Sequence, residues 1–317
     1  MCPPARWPTI CSDNIEMMGK HAYLILAHKN FGQLRKLVEM LDHPQNDIFI
    51  HVDAKAKDFR PETLAGVTRY SRLEILPERI AVNWGGVSIM RSEIALLKAA
   101  TAREPYAYYH LLSGMDLPIK SQDEMHAFFD AHQGKEFLNL WEFKKSTLTR
   151  FRYYTIFPEG EGRFRTRIIN HIFKGLQMAV GYRINRHVDF RFGSQWFSIT
   201  DGLARHVVDN EAWLEKVFRH TSTCDEIFLP TLTAVSPFRD NLFHPVPVKS
   251  QKEVNLSNMR FIDWTRGESI RHPWTFREDD LELLENVPHM WARKFDETVD
   301  SGIIDALYEK LRYHEEG

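Results

Sequence analysis

The chain has 317 residues, 43% of them hydrophobic, enough apolar surface for one large core, which excludes disorder as its main state. Forty-one Lys and Arg against forty-three Asp and Glu leave a formal charge of -2, so no nucleic-acid partner is expected and any anion binding must be local. Three cysteines, Cys2, Cys11 and Cys224, show no metal-ligand spacing and no disulfide framework, as in a reducing compartment.

Residues 1–19 carry three prolines and no apolar centre, and read as a flexible leader. No run of eighteen apolar residues occurs, so a cytoplasmic protein is expected. From Ala22 the run AYLILAH predicts a strand, NFGQLRKLVEMLDH a helix and DIFIHVD a second strand. LEILP, an amphipathic stretch from Ser88 to Ala102, YAYYHLLSG, a helix from Gln122 to His132 and EFLNLWEF extend the alternation. This pattern predicts an α/β fold with a mostly parallel central sheet flanked by helices, and residues 20–317 read as one domain. Ligands of such sheets sit outside the carboxyl ends of the strands, which directs attention to HVD at 51–53, the segment after Pro77, and SGMD at 113–116.

Between Lys144 and Arg191 eleven Lys or Arg face three acids, a local excess of eight. Within this basic insertion RFRTRIINHIFKGLQMAV is amphipathic; it suits an anionic membrane surface or an anionic acceptor, and equally a solvated basic face. A strand (SQWFSIT), a helix (DGLARHVVDNEAWLEKVFRH), a second helix from about Asp225 and a loop-rich basic tail to Asp300 complete the expectation.

Phosphate-loop, dinucleotide-binding, H-E-x-x-H and G-x-S-x-G motifs do not occur. The strand YAYYHLLSG ends in Ser113, Gly114, Met115 and Asp116 and not in an Asp-x-Asp pair. One carboxylate is a poor cage for a hard cation, so a diphosphate bound here is expected to be neutralised by Arg and Lys, with no metal and no other cofactor.

Seven segments in order resemble glycosyltransferase family 14, which comprises the core-2/I-branching β-1,6-N-acetylglucosaminyltransferases and the peptide O-xylosyltransferases: IFIHVDAKA (48–56), RIAVNWGGVS (79–88), YHLLSGMDLPIKS (109–121), GSQWFSI (193–199), CDEIFLPTL (224–232), MRFIDW (259–264) and WARKFDETVD (291–300). The resemblance, to a bacterial-type member, implies a GT-A-type fold. It also implies inverting, metal-independent transfer from a UDP-sugar, N-acetylglucosamine or xylose above all, to a hydroxyl of a glycan or related acceptor; the basic insertion adds the expectation of a lipid-linked glycan. By the same resemblance Glu226 is the catalytic base, while Arg260, Lys294 and Arg79 bind the donor diphosphate. Val52, Asp53 and Asp116 lie around the uridine and donor, and Trp84, Gln195 and Trp196 line the acceptor cleft. Gln195 stands where xylosyltransferases carry Asp, a departure that counts against a peptide serine acceptor.

The residue types suit these roles. Inverting transfer needs one general base for the acceptor hydroxyl. Glu226 opens a predicted helix, where capping is the competing role and the helix dipole favours the ionised form. Fixed Arg and Lys stabilise a leaving diphosphate, although surface ion pairs account for most such residues. Asp53 has a turn-forming alternative, Asp116 a loop-shaping one that includes orienting Arg79, and tryptophans more often fill cores than bind sugars. A metal-dependent transferase and an inactive carbohydrate-binding scaffold remain the rival readings.

Overall fold

A computed structural model describes residues 19–141, 148–159, 164–266 and 272–313. The leader, apart from Gly19, lies outside these residues, as do Lys144, Lys145 and Arg163 of the basic insertion.

Strand β1 (His21–Ala27) leads through helix α1 (Phe31–Leu41) to β2 (Asn46–Val52), and β3 (Arg72–Ile75) through α2 (Val87–Thr101) to β4 (Tyr108–Ser113). These four strands are parallel, in the order β3-β2-β1-β4. The chain adds β2 and β3 on one side of β1 and then β4 on the other, so the switch point of the sheet lies beside the carboxyl end of β1. The chain then forms β5 (Asp116–Pro118) and α3 (Gln122–Ala131), which opens on a reciprocal cap between Ser121 and Glu124, the S-x-x-E signature. A one-turn helix α4 (Thr149–Arg152) and the sixteen-residue α5 (Phe164–Ala179) follow, and β6 (Ser198–Ile199) closes the sheet antiparallel to β4. The expected α/β fold with a mostly parallel sheet flanked by helices is observed.

The apolar runs exist because both faces of the sheet are covered. In β1, Ala22 and Leu24 join one buried cluster with Met90, Ile94 and Leu97 of α2, whereas Tyr23, Ile25 and Ala27 join a second with Leu34, Leu37 and Val38 of α1. A strand buried on both sides has no polar face to alternate with.

Several local expectations are corrected. EFLNLWEF makes only isolated bridges, such as Phe137 to Ser198 and Trp141 to Phe192, among the described residues. The helix expected over 201–220 is two, α6 (Asp201–Asp209) and α7 (Glu211–Phe218), broken at Asn210, whose side-chain amide donates to the His206 carbonyl at 2.8 Å. The helix expected from Asp225 is a single 3-10 turn, Cys224–Glu226, entered through Thr223 at φ 56, before α8 (Phe228–Ala234) begins. The loop-rich tail holds α9 (Gln251–Asn258), β7 (Arg260–Ile262), α10 (Leu281–Asn286), β8 (Trp291–Arg293) and α11 (Gly302–Leu311). There β5, β8 and β7 form a second sheet whose three-residue strands are too short to show a period in sequence.

Candidate active site

The strand ends converge as the topology requires. Asp53 N donates to the Ala27 carbonyl at 2.8 Å and Gly114 N to the Leu26 carbonyl at 2.9 Å, so the segments leaving β1, β2 and β4 are tied together. The second sheet adds a fourth wall. Its register sets Arg293 opposite Asp116, and Phe295 N donates to the Met115 carbonyl at 2.9 Å.

Cations gather on this edge. Arg293 pairs with the buried Asp116 at 3.0 Å, donates also to Ser113 Oγ, and lies 4.6 Å over the ring of Trp196. Lys294 follows it; burial, Lys29 and Arg293 lower its pKa against the pull of Asp296, and among the described residues its ammonium makes no hydrogen bond or ion pair. Lys29 pairs with Asp296 at 2.8 Å. His28 is held below its ordinary pKa by the desolvating cleft walls and then by Lys29 and Arg293. Arg293, Lys29 and Lys294, brought to one cleft edge, form a local positive field that can receive an anion.

The other expected donor residues stand differently. Arg260 is 2% exposed, enclosed against Trp291 at 4.7 Å, with Nη2 donating to the Leu111 and Phe197 carbonyls at 2.7 Å each. Burial lowers its pKa to about 10, and its Nε and Nη1 have no hydrogen-bond partner among the described residues. Arg79 is committed to backbone, donating to the carbonyls of Val52 at 3.2 Å and of Asp53 and Ala56 at 2.6 Å. It therefore fixes the loop after β2. Asp53 forms the turn expected of it, accepting from Lys55 N at 2.8 Å and Val82 N at 3.3 Å. Val52 is wholly buried. Asp116 accepts from Ser113 N at 2.5 Å and orients Arg293, where Arg79 was expected.

Glu226 lies half-buried at the end of its 3-10 turn. Burial first, and then neighbouring Asp225, push its carboxyl up to about 7 against the opposing charge of Arg150. The direction is opposite to that expected from a helix start, because the turn is too short to carry a helix dipole. Gly193 N donates to the Glu226 carbonyl at 2.8 Å, an approach that only glycine permits, since a Cβ there would overlap the Asn139 carbonyl and Pro230. The segment beginning at Gly193 thus links Glu226 to the cation cluster through Trp196.

Gln195 and Trp196 face inward. Gln195 Nε2 donates to Glu93 Oε1 at 2.8 Å, and Trp196 is 8% exposed beneath Arg293. Trp84 behaves otherwise, being 81% exposed. Its loop is held by Glu159, which accepts from Ser88 N at 2.8 Å and Asn83 Nδ2 at 3.1 Å, and Gly85 carries φ 69 to make the turn. The Gly85 carbonyl accepts from Thr223 N at 2.8 Å, which fastens the loop to the turn bearing Glu226. Trp84, Arg150, Tyr153, Tyr154 and Lys174 line a cavity of about 800 Å³. Arg293, His28, Lys29 and Glu93 were missed by sequence reasoning; Arg293 adjoins Lys294 in WARKFD, but its pairing with Asp116 is a matter of strand register.

Among the described residues no three His, Cys, Asp or Glu side chains form a group able to hold a metal ion. A basic cleft at the carboxyl ends of a mostly parallel sheet places the protein in the class of α/β folds that take their ligands outside the strand ends. The chain belongs to the Core-2/I-Branching enzyme family, whose model matches residues 21–287, as the seven segments indicated. Xylosyltransferase 2 of Rattus norvegicus is 24% identical over 90% of this chain and 33% of that protein, and a xylosyltransferase of Ciona intestinalis is 23% identical over 91% and 34%. The chain spans about a third of the length of these curated relatives.

Proposed function

We propose that this chain is an inverting glycosyltransferase that moves a sugar from a UDP-sugar to a hydroxyl of a glycan. The observation that carries the reading is Glu226, a half-buried carboxyl raised to about 7 and linked through the segment beginning at Gly193 to the cluster of Arg293, Lys294, Lys29 and His28. In the proposed step the acceptor oxygen attacks the anomeric carbon and its proton passes to Glu226. The bond from that carbon to the β-phosphate oxygen breaks on the opposite face, and its electron pair leaves on UDP. Arg293 and Lys294 stabilise the charge gathering on the diphosphate, in a role that needs no metal in this reading, and Arg260 backs them from the interior. Asp53, with the loop that Arg79 fixes, meets the uridine side, and Trp84 offers its face to the acceptor. Family membership supports transfer to glycans, and the xylosyltransferase relatives make xylose, with N-acetylglucosamine, the first donors to try.

Calorimetric binding of UDP and a panel of UDP-sugars, with and without EDTA, tests this. Binding of one UDP-sugar that EDTA leaves unchanged, with turnover abolished by Glu226→Gln, is the expected result. EDTA-sensitive binding would shift the reading to a metal-dependent transferase, and binding without turnover on any acceptor to an inactive scaffold.

A further inference from the structure

Helix α5 turns its apolar side outward. Of its sixteen residues only Gln177 is buried, locked to Tyr154 by hydrogen bonds of 2.8 and 2.9 Å with the backbone of that residue. Phe164, Ile168, Ile172 and Leu176 recur every fourth residue, hence on one side of the helix, and Val180 continues the row. All five are exposed, from 43% at Ile168 to 78% at Phe164 and Val180. The stripe runs the length of a helix of about 24 Å. An exposed contiguous apolar face of this kind marks an interaction surface.

The charge around the stripe selects its partner. From Phe164 to Val188 there is no Asp or Glu, against Arg165, Arg167, Lys174, Arg183 and Arg186. A second copy of this chain would oppose these cations with the same cations, whereas an anionic bilayer satisfies stripe and charge together. The face also adjoins the cavity lined by Trp84 and by Arg150, whose charge acts on Glu226. Arg167 and His171 line that cavity and the shallow depression formed with Phe164, Ile168 and Ile172, so one continuous surface runs from the stripe to Trp84 and Arg150.

We propose that α5 lies in the interface of an anionic bilayer and that the acceptor hydroxyl arrives from that bilayer on a lipid-linked glycan whose sugar enters the cavity. The acceptor half rests on the transferase reading; the membrane half stands without it.

Flotation of the full chain with vesicles of phosphatidylglycerol and phosphatidylcholine, or of phosphatidylcholine alone, tests the membrane half. Retention is expected on the anionic vesicles only and should weaken at about 0.5 M salt. It should fall at least about tenfold in the Ile168→Asp, Ile172→Asp double variant and a few-fold in Arg165→Gln. UDP binding of the double variant should equal that of the original chain, which certifies its folding. Failure of anionic vesicles to retain the protein overturns the proposal, as does a sedimenting dimer that the double variant dissolves. Once retention is found, equal turnover of water-soluble and vesicle-borne acceptors would overturn the acceptor half. Loss of the transferase reading itself would show separately, as failure of every uridine nucleotide to bind.

Discussion

Gln195 and Glu93 hold each other inside the protein, Nε2 to Oε1 at 2.8 Å, and the second carboxyl oxygen of Glu93 is buried without a hydrogen-bond partner among the described residues. Burial first, and then Asp225, raise the Glu93 carboxyl well above its ordinary pKa. Burial thus favours the neutral form of the Glu93 carboxyl, the form that glutamine mimics. Glu93→Gln, a neutral isostere, is expected to leave the acid limb of the pH–rate profile within about 0.3 pH of its original position. A downward move of the limb would show that Glu93 is ionised in the native protein. Glu93→Ala, by contrast, should cost about 2–5 kcal/mol in chemical denaturation, since it empties a packed site and strands Gln195.

Glu226→Gln is expected to retain UDP binding and to lose turnover by about 10²–10⁴-fold. A base acts only when ionised, so kcat/KM of the original chain should fall as pH drops below about 7, the value to which burial and Asp225 push the group. The same shift carries a stability sign. A carboxyl whose pKa is higher in the folded state contributes stability below its unfolded value and loses it as pH rises to the folded one. Thermal midpoints of the original chain should therefore decline relative to those of the glutamine variant between pH 4.5 and about 7. Parallel curves would contradict the raised pKa.

Lys294 and Arg260 should separate binding from stability. Lys294→Met is expected to weaken UDP binding by about 10–100-fold, the loss of one charge-assisted contact, while the unfolding midpoint holds, because the ammonium has no ion pair to lose among the described residues. Arg260→Met removes the two hydrogen bonds to the Leu111 and Phe197 carbonyls and should lower stability by about 3–5 kcal/mol. Equal binding losses with no stability change in either variant would show that Arg260 reaches the ligand directly.

His289 lies tilted against Phe261 at 5.3 Å between ring centroids, with both ring nitrogens buried and unbonded among the described residues, and burial lowers its pKa to about 4. His126 is lowered to about 3 by burial and His43, and His21 and His110 also fall well below their ordinary values. Groups with depressed folded-state pKa values take up protons on unfolding, so stability present above pH 6.5 is lost as pH falls toward 4. His289→Phe should raise stability by about 1 kcal/mol at neutral pH and more at pH 5, measured as urea midpoints. A destabilised variant at both pH values would mean that the imidazole is paired in solution.

Much of this was legible in the sequence because the signal is local. Apolar runs at 22–28 and 47–53 announce buried parallel strands, and burial on both faces of the sheet is the reason they are continuous. The strand-end rule directed attention to Asp53 and to Ser113–Asp116, and both segments do border the cleft. The seven family segments were recognisable because each lies within about a dozen residues. Trp84 was singled out by its family segment, and the positive φ at neighbouring Gly85 is a local feature of the same turn.

What only the tertiary structure decided concerns residues far apart in the chain. Arg293 and Asp116 are 177 residues apart and meet through the register of a three-residue strand, which carries no periodic signal. Inward placement of Arg260 and Gln195 follows from partners on other elements, the carbonyl of Leu111 and the carboxyl of Glu93. The direction of the Glu226 shift depends on burial and on Asp225, whereas its sequence neighbourhood pointed to a helix start and an acid held ionised. Local sequence fixes which side chains are available and where the chain can turn; desolvation and pairing, which set their charge and their reach, are properties of the packed assembly and come into being only when distant segments close on one another.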